Sequence, residues 1–376
     1  MLEMEFGLSE EQRQLKESAR TFLARECPVT RVREIMADDS GMPRDLYAAI
    51  ANLGWCGLLV PEKFGGAGLG MLDMSVVLEE CGYAALPGPF LFSSVIAACA
   101  LAHGGSETIN DRWLAPLAEG RALGTVAMVE AGDSLSLTDL SASARDTGGA
   151  WLLNGTKMFI PYAHAADFIV VAARTGPHPN DLGLFVVESK APGVKIRRLK
   201  NLDLTRRVFA LELDAVVIPS ESRLSGGAGL FNRLIDVGAV ALAADSLGGT
   251  ERVLEMAVEY SKVREQFGKP IASFQALKHA AAEIVADLEP ARALLWYAAY
   301  GLDALPEQAA RAAAMAKARL GEVYMRSADR AVLMHGGIGF TWEHDIHLWF
   351  KRARFNESYF GSPPFHRERL AVFSGY

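Results

Sequence analysis

Residues 263–275 read Val-Arg-Glu-Gln-Phe-Gly-Lys-Pro-Ile-Ala-Ser-Phe-Gln. The pattern before them is helical up to Tyr260, and a second helical run resumes at Phe274. Between the two, Phe267-Gly268-Lys269-Pro270 breaks the helix. Glycine tolerates backbone angles that other residues avoid, and proline has no amide donor to offer the next turn. The break sets a guanidinium (Arg264), an amide (Gln266) and an aromatic ring (Phe267) at a corner between long helices. Beyond it, Phe274, Leu277, Ala281, Ile284, Val285 and Leu288 recur at the spacing of one helical face. The Ala-rich stretch 223–376 is therefore read as a helical domain whose helices approach closely.

Upstream of it, residues 121–222 change to short runs of β-branched and aromatic residues separated by turns. Asn154-Gly155, between Trp151-Leu-Leu and Met158-Phe-Ile, predicts a hairpin. Phe168-Ile-Val-Val, Leu184-Phe-Val-Val and Val208-Phe-Ala-Leu-Glu-Leu continue the sheet with no helices between them. That excludes the alternation of a parallel Rossmann sheet and predicts an antiparallel barrel or sandwich. Residues 1–120 again read as helices. Ser9-Glu-Glu-Gln12 predicts a capping box, and Leu15, Ala19, Phe22 and Leu23 follow on one face. The order is helical, β, helical.

A chain of 376 residues is long for one core. Its composition, 50% hydrophobic and 22% charged, is that of an ordinary globular protein. The net charge of -7, with no Lys/Arg cluster, argues against nucleic acid as a partner. The four cysteines, Cys27, Cys56, Cys81 and Cys99, are not at metal-ligand spacing, which fits a reduced, cytoplasmic setting. The acidic start lacks the basic and apolar regions of a signal peptide. The apolar stretch 89–102 is too short to span a bilayer, which needs about 20 residues, so it is read as a buried helix and no membrane role is expected.

Other motifs carry less. Gly65-Gly-Ala-Gly-Leu-Gly70 lies in helical territory without a βαβ unit, so it is read as a loop rather than a phosphate cradle. His344-Asp345-Ile-His347 lacks a further ligand for a metal and is read as structural. Gly336-Gly337-Ile-Gly339 fits a helix C-terminus, but one glycine suffices for that. The extra glycines predict close approach of the backbone to a ligand or a subunit.

Arg264-Glu-Gln-Phe267-Gly268-Lys-Pro270-Ile, followed by Phe274-Gln275, resembles one signature of the acyl-CoA dehydrogenase family. His335-Gly-Gly-Ile-Gly-Phe-Thr-Trp-Glu-His-Asp345 resembles its second. The spacing between them and the order of the three regions match from end to end. The resemblance implies a mainly α chain with a central antiparallel β domain. Its parts are an N-terminal helical domain (1–120), a β-barrel (121–222) and a C-terminal helical bundle (223–376). It further implies FAD bound at a subunit interface, an acyl-CoA thioester substrate and a tetramer. In such a chain Arg264 and Phe267 reach the FAD pyrophosphate and adenosine side of a neighbouring subunit, with Gln275, Gly336 and Gly337 assisting. Leu333 stands in the same set where glutamine is common.

The family's base is a glutamate, commonly in a Tyr-Glu-Gly-Thr stretch; here that stretch is Tyr359-Phe360-Gly361-Ser362. Phe360 cannot take a proton. Other branches place the glutamate on the helix before the corner, and counting back puts Gly238 there. Asp236 is the nearest acid, but two residues along a helix point roughly the opposite way. Glu357, one turn before Phe360, is the other candidate. On the flavin-ring side the usual Trp-x-Thr/Ser becomes Phe159-Ile160-Pro161, and Thr-Glu-Pro-x-x-Gly-Ser is reduced to Val129-Glu130-Ala131-Gly132-Asp133-Ser134. Ring-side losses with a retained tail arm favour a base-lacking subunit that pairs with a homologous catalytic chain in an α2β2 hetero-tetramer. A homo-oligomeric dehydrogenase with a relocated base is the alternative. A flavin monooxygenase on the same fold, which needs no such base, is a third.

Overall fold

The structure, a computed structural model, describes residues 7–376. The first six residues, half of the acidic start, lie outside it. The chain forms two compact units. One combines Met1–Glu34, Gly70–Leu86 and Val240–Tyr376; the other combines Ile35–Leu69 and Pro87–Ala239. The long apolar helix Gly227–Val263 belongs to the second unit as far as Ala239 and to the first beyond it.

The first unit is helical. Its opening helix, Glu10–Glu26, begins with the expected capping box: Gln12 N–H donates to Ser9 Oγ at 3.2 Å, and Ser9 N–H to Gln12 Oε1 at 3.0 Å. Ala19, Phe22 and Leu23 form its buried face, as their spacing predicts. The helices Gln275–Ala304 and Pro306–His335 follow, the second burying alanines such as Ala309, Ala312, Ala313 and Ala316. The small side chains let it pack closely. Helices Ile346–Ser358 and Pro363–Phe373 complete the unit.

Within this core, Arg352 and Asp245 are fully buried and paired. Arg352 donates from Nε to Asp245 Oδ1 at 2.9 Å, from Nη2 to Oδ2 at 2.5 Å and from Nη1 to the Leu86 carbonyl at 2.9 Å. Asn356, one turn on, donates to Asp245 Oδ1 at 2.7 Å. The pair fixes Ile346–Ser358 against the long helix.

The second unit is built on an eight-stranded sheet. Its strands are β1 (Gly124–Ala127), β2 (Ser143–Asp146), β3 (Ala150–Pro161), β4 (Phe168–Arg174), β5 (Leu182–Glu188), β6 (Val194–Arg198), β7 (Val208–Pro219) and β8 (Arg223–Leu224). The order is β6-β7-β3-β2-β4-β5-β8, with β1 beside β4. Pairing is antiparallel as expected, except that β1 and β2 each meet β4 in parallel. Ile169, Val171, Ala173, Phe185, Val187, Leu211 and Leu213 fill the inner face at the period of two that a pleated strand imposes. The apolar stretch near residue 90 is the buried helix Leu91–Gly104.

One expectation is overturned. Asn154-Gly155 is not a hairpin turn, because β3 runs unbroken through it. Leu153 pairs with Val216 and Gly155 with Leu213, so β7 carries an extra residue here, a bulge at Asp214-Ala215. Asn154 serves that bulge, its Oδ1 accepting from Ala215 N–H at 2.9 Å. Gly155 is required because a Cβ would lie 2.7 Å from the Ala142 backbone. The β2–β3 turn falls earlier, through Gly148-Gly149, with Thr147 N–H donating to the Ala150 carbonyl at 2.9 Å.

Candidate functional site

The Arg264–Gln275 corner lies wholly in the first unit. The long helix runs three residues beyond Tyr260, to Val263. The corner is then a small hairpin: β9 (Glu265–Gln266) pairs with β10 (Lys269–Pro270), Gln266 opposite Lys269 and Glu265 opposite Pro270. Its two central residues, Phe267 and Gly268, have φ of 55° and 75°. Positive φ at both is the type I′ arrangement, whose twist matches two-residue hairpins. Sequence reading caught the break but not this turn, because phenylalanine is a poor resident of the left-handed region. Holding it there costs on the order of 1–3 kcal/mol.

Phe267 is 93% exposed and meets Phe274 edge-on at 6.0 Å between ring centres. Arg264 is exposed, and its guanidinium has no partner among the described residues. Gln275, the first residue of its helix, donates from Nε2 to His279 Nε2 at 2.8 Å.

The second glycine-rich segment stands beside the first. Tyr260 stacks on His335 with ring centres 4.6 Å apart, and His344 packs on His335 at 4.3 Å. Tyr260 lies one helical turn before Arg264, and His335 is the last residue of its own helix, so the stack sets the hairpin next to the turn Gly336–Phe340. Gly336 has φ of 65°, as a helix end predicts. A Cβ added at Gly336 or Gly337 would meet nothing within 4 Å, so packing inside this chain does not require either glycine to be small. Leu333, Phe340 and Trp342 are 61%, 74% and 64% exposed. Phe267, on the adjoining hairpin, is exposed as well, and large apolar side chains left exposed in this number are of a kind that marks interaction sites. Nearby, Asp345 accepts from Arg33 Nε at 2.5 Å, a structural use of the His344–His347 motif.

The loop Tyr359–Ser362 is held from beneath. Lys317, buried in the helix Pro306–His335, donates from Nζ to the carbonyls of Asn356, Glu357 and Gly361 at 2.7, 3.0 and 2.8 Å. Burial pulls its ammonium down to about 7, while the Glu357 charge acts to raise it. His366, also buried, donates from Nε2 to the Phe360 carbonyl at 2.8 Å. Phe360 itself is buried at φ of 57°, and Gly361 follows at 94°. Neither Lys317 nor His366 carries a sequence signal of this role; each lies among helical residues with unremarkable neighbours. Glu357 is half-buried, and its carboxylate pairs with Arg354. Asp236 is buried in the second unit, apart in the chain from the loop of the first.

His366 gives this loop a pH dependence. Burial, and then the Lys317 charge, push its imidazole down to about 3 from 6.5. The unfolded chain thus binds a proton below 6.5 that the folded chain refuses, and stability falls as pH drops from 6.5 toward 3. One such group contributes about 1.4 kcal/mol per pH unit. His366→Gln keeps a donor for the Phe360 carbonyl and should flatten the slope. Urea midpoints at pH 6.5 and 5 check this, and an unchanged slope would remove His366 from the account.

The ring-side segments lie in the second unit. Lys157, buried, donates to Glu130 Oε1 at 2.8 Å, and Glu130 also accepts from Ala142 N–H at 2.9 Å. Burial opposes ionisation of Glu130, but Lys157 and the donors of Ser141 and Ala142 prevail and hold it at about 2. Its role is to tie strand to loop. Beyond Lys157 the β3–β7 register slips, so Met158 and Phe159 form a bulge, with Phe159 at φ of 57°. Pro161 is buried, and its carbonyl accepts from Thr125 Oγ1 at 2.7 Å.

A helical–β–helical chain that holds out a basic and aromatic hairpin beside a glycine turn has the organisation of the flavin-dependent thioester dehydrogenases. The chain belongs to the acyl-CoA dehydrogenase family: it matches the family's N-terminal domain over residues 9–121, the middle domain over 125–210 and the C-terminal domain over 225–373. FAD is the cofactor of this family. Acyl-CoA dehydrogenase IpdE2 of Mycolicibacterium smegmatis is 31% identical over 364 residues, 96% of this chain and 97% of the relative. Among solved structures, the ChsE4-ChsE5 complex from Mycobacterium tuberculosis is 29% identical with a TM-score of 0.91, covering 99% of both chains. The Tcur3481-Tcur3483 steroid ACAD is 30% identical with a TM-score of 0.88, covering 97% of this chain and 98% of that one.

Proposed function

We propose that this chain is the base-lacking subunit of a mixed acyl-CoA dehydrogenase and reaches with its hairpin to the FAD of a homologous catalytic partner. One observation carries the reading. The position expected to hold the base is a buried phenylalanine, while Arg264, Phe267, Gly336 and Gly337 stand exposed, and the Arg264 guanidinium has no partner among the described residues. Two of the structures it resembles support the reading, since one is a ChsE4-ChsE5 complex and the other a Tcur3481-Tcur3483 protein.

The residues present fit the tail of FAD well and its ring less well. Arg264 offers a planar fork with no internal partner, suited to pyrophosphate oxygens. The Gly336-Gly337 backbone is open to close approach, and the exposed rings of Phe267 and Trp342 suit an adenine or a subunit face. On the ring side the Met158-Phe159 bulge is kept, but Pro161 brings neither hydroxyl nor N–H. FAD, when bound, supplies the acceptor for the hydride that leaves the thioester. This chain's own residues hold the cofactor tail and, through Phe360, exclude water where a carboxylate would otherwise take a proton.

Purified alone, the chain should bind FAD weakly; with a homologue carrying the glutamate it should form a tetramer with one FAD per pair of chains. Arg264→Ala should then weaken FAD binding about ten- to a hundred-fold, as loss of a charge-assisted bond of roughly 1.5–3 kcal/mol implies. Light scattering with a flavin-to-protein ratio measures both. A homotetramer with one tightly held FAD in every subunit would overturn the reading in favour of a dehydrogenase acting alone.

A further inference from the structure

The second unit holds a recess of about 430 Å³ whose wall includes Arg44, Tyr47, His164, Asp167, Lys190 and Ile196. Its volume is within the range of roughly 300–1,000 Å³ typical of small-molecule sites. The chain carries a net charge of -7, yet this recess is basic. Its one carboxylate is committed: Asp167 Oδ2 accepts from Leu123 N–H at 2.8 Å. Arg121, at the same wall, is drawn to Glu119. Arg44 and Lys190 are exposed and have no acidic partner among the described residues.

More positive charge stands behind. The His164 ring stacks on Phe209 with centres 4.4 Å apart. Burial first, and then the nearby charges of Arg198, Arg207 and Arg44, push its pKa below the ordinary range. Arg207 is buried and spends its Nη2 on the carbonyls of Met36 and Asp38, at 2.7 and 2.9 Å, and the charges of Asp38 and Asp39 offset part of its own. A recess with several cations and one engaged acid attracts anions, and low-dielectric walls focus that field.

We infer that this recess is a binding site for a phosphorylated small molecule, its phosphoryl oxygens held by Arg44 and Lys190 and the remainder lying against Tyr47 and Ile196. Nothing in the arm or the base-position loop enters this assignment, since both belong to the other unit. A nucleotide and free inorganic phosphate offer the same oxygens. A nucleotide would also use the apolar wall.

The test is calorimetry on the full chain with ADP and, separately, inorganic phosphate, for the parent protein and for Arg44→Ala, Lys190→Ala and the control Arg145→Ala. In parallel, acylation of the Lys190 amine is followed by mass spectrometry with and without ADP. Saturable ADP binding is expected, at least tenfold weaker in Arg44→Ala and Lys190→Ala and unchanged in Arg145→Ala. ADP should slow labelling of Lys190 at least fivefold. Phosphate binding as tight as ADP, with the same dependence on Arg44, would support the site and assign it to the free oxyanion. Failure of both probes to bind, or binding indifferent to both substitutions, would overturn it. The substituted side chains are exposed, and equal melting temperatures would show that the fold is kept.

Discussion

Arg352→Ala should destabilise the protein by about 3–5 kcal/mol, the range expected when one member of a buried ion pair is removed. Both partners are fully buried, and the geometry is bidentate. Alanine would strip Asp245 of its main charge partner and the Leu86 carbonyl of a donor 2.9 Å away. Most of the loss is the penalty of a stranded carboxylate, so Asp245→Leu combined with Arg352→Met should cost clearly less than the two single changes added together. Urea unfolding of the parent, Arg352→Ala, Arg352→Met, Asp245→Leu and the Asp245→Leu/Arg352→Met double variant tests this. Additive effects, or a single-variant loss below about 1 kcal/mol, would show that the pair is not the clamp described. The consequence reaches the functional loop, because Arg352 and Asn356 fix the helix that ends just before Tyr359. A loosened clamp should therefore also relax the loop that Lys317 and His366 hold.

Local chemistry with a fixed spacing was legible in the sequence. The Ser9–Gln12 box, the periodic face at Ala19, Phe22 and Leu23, and the helix end at Gly336 all depend on residues within one or two turns. Asn154-Gly155 misled because its reason is not local: the residues answer a bulge on β7, some 60 positions away in the chain. The corner at Phe267 was recognised from its motif, but its I′ turn runs against propensity, and such exceptions concentrate where function demands them. Lys317 and His366 were invisible for another reason. A buried cation or imidazole on a helix is marked only by the carbonyls that tertiary packing brings to it.

Those two residues make the position of Phe360 testable in the forward direction. The loop has its backbone fixed by Lys317 at the Gly361 carbonyl and by His366 at the Phe360 carbonyl, and Lys317 also holds the Asn356 and Glu357 carbonyls at the end of the preceding helix. Phe360→Glu thus places a carboxyl on a scaffold already formed, in a space a larger side chain now fills. Burying the new carboxyl costs about 1–3 kcal/mol, and the Lys317 ammonium, which donates to the neighbouring Gly361 carbonyl at 2.8 Å, offsets part of it. A positioned base contributes about 10²–10⁴ in rate, equivalent to roughly 3–5 kcal/mol of barrier. With FAD saturating, a panel of acyl-CoA thioesters and an artificial electron acceptor, the parent chain should be silent and Phe360→Glu should gain turnover of that order. Silence of the variant with FAD bound would move the deficit to the Phe159–Pro161 segment, where Pro161→Thr would be the next change to make. Robust turnover by the parent, abolished by Asp236→Asn or Glu357→Gln, would instead identify a relocated base and end the base-lacking reading.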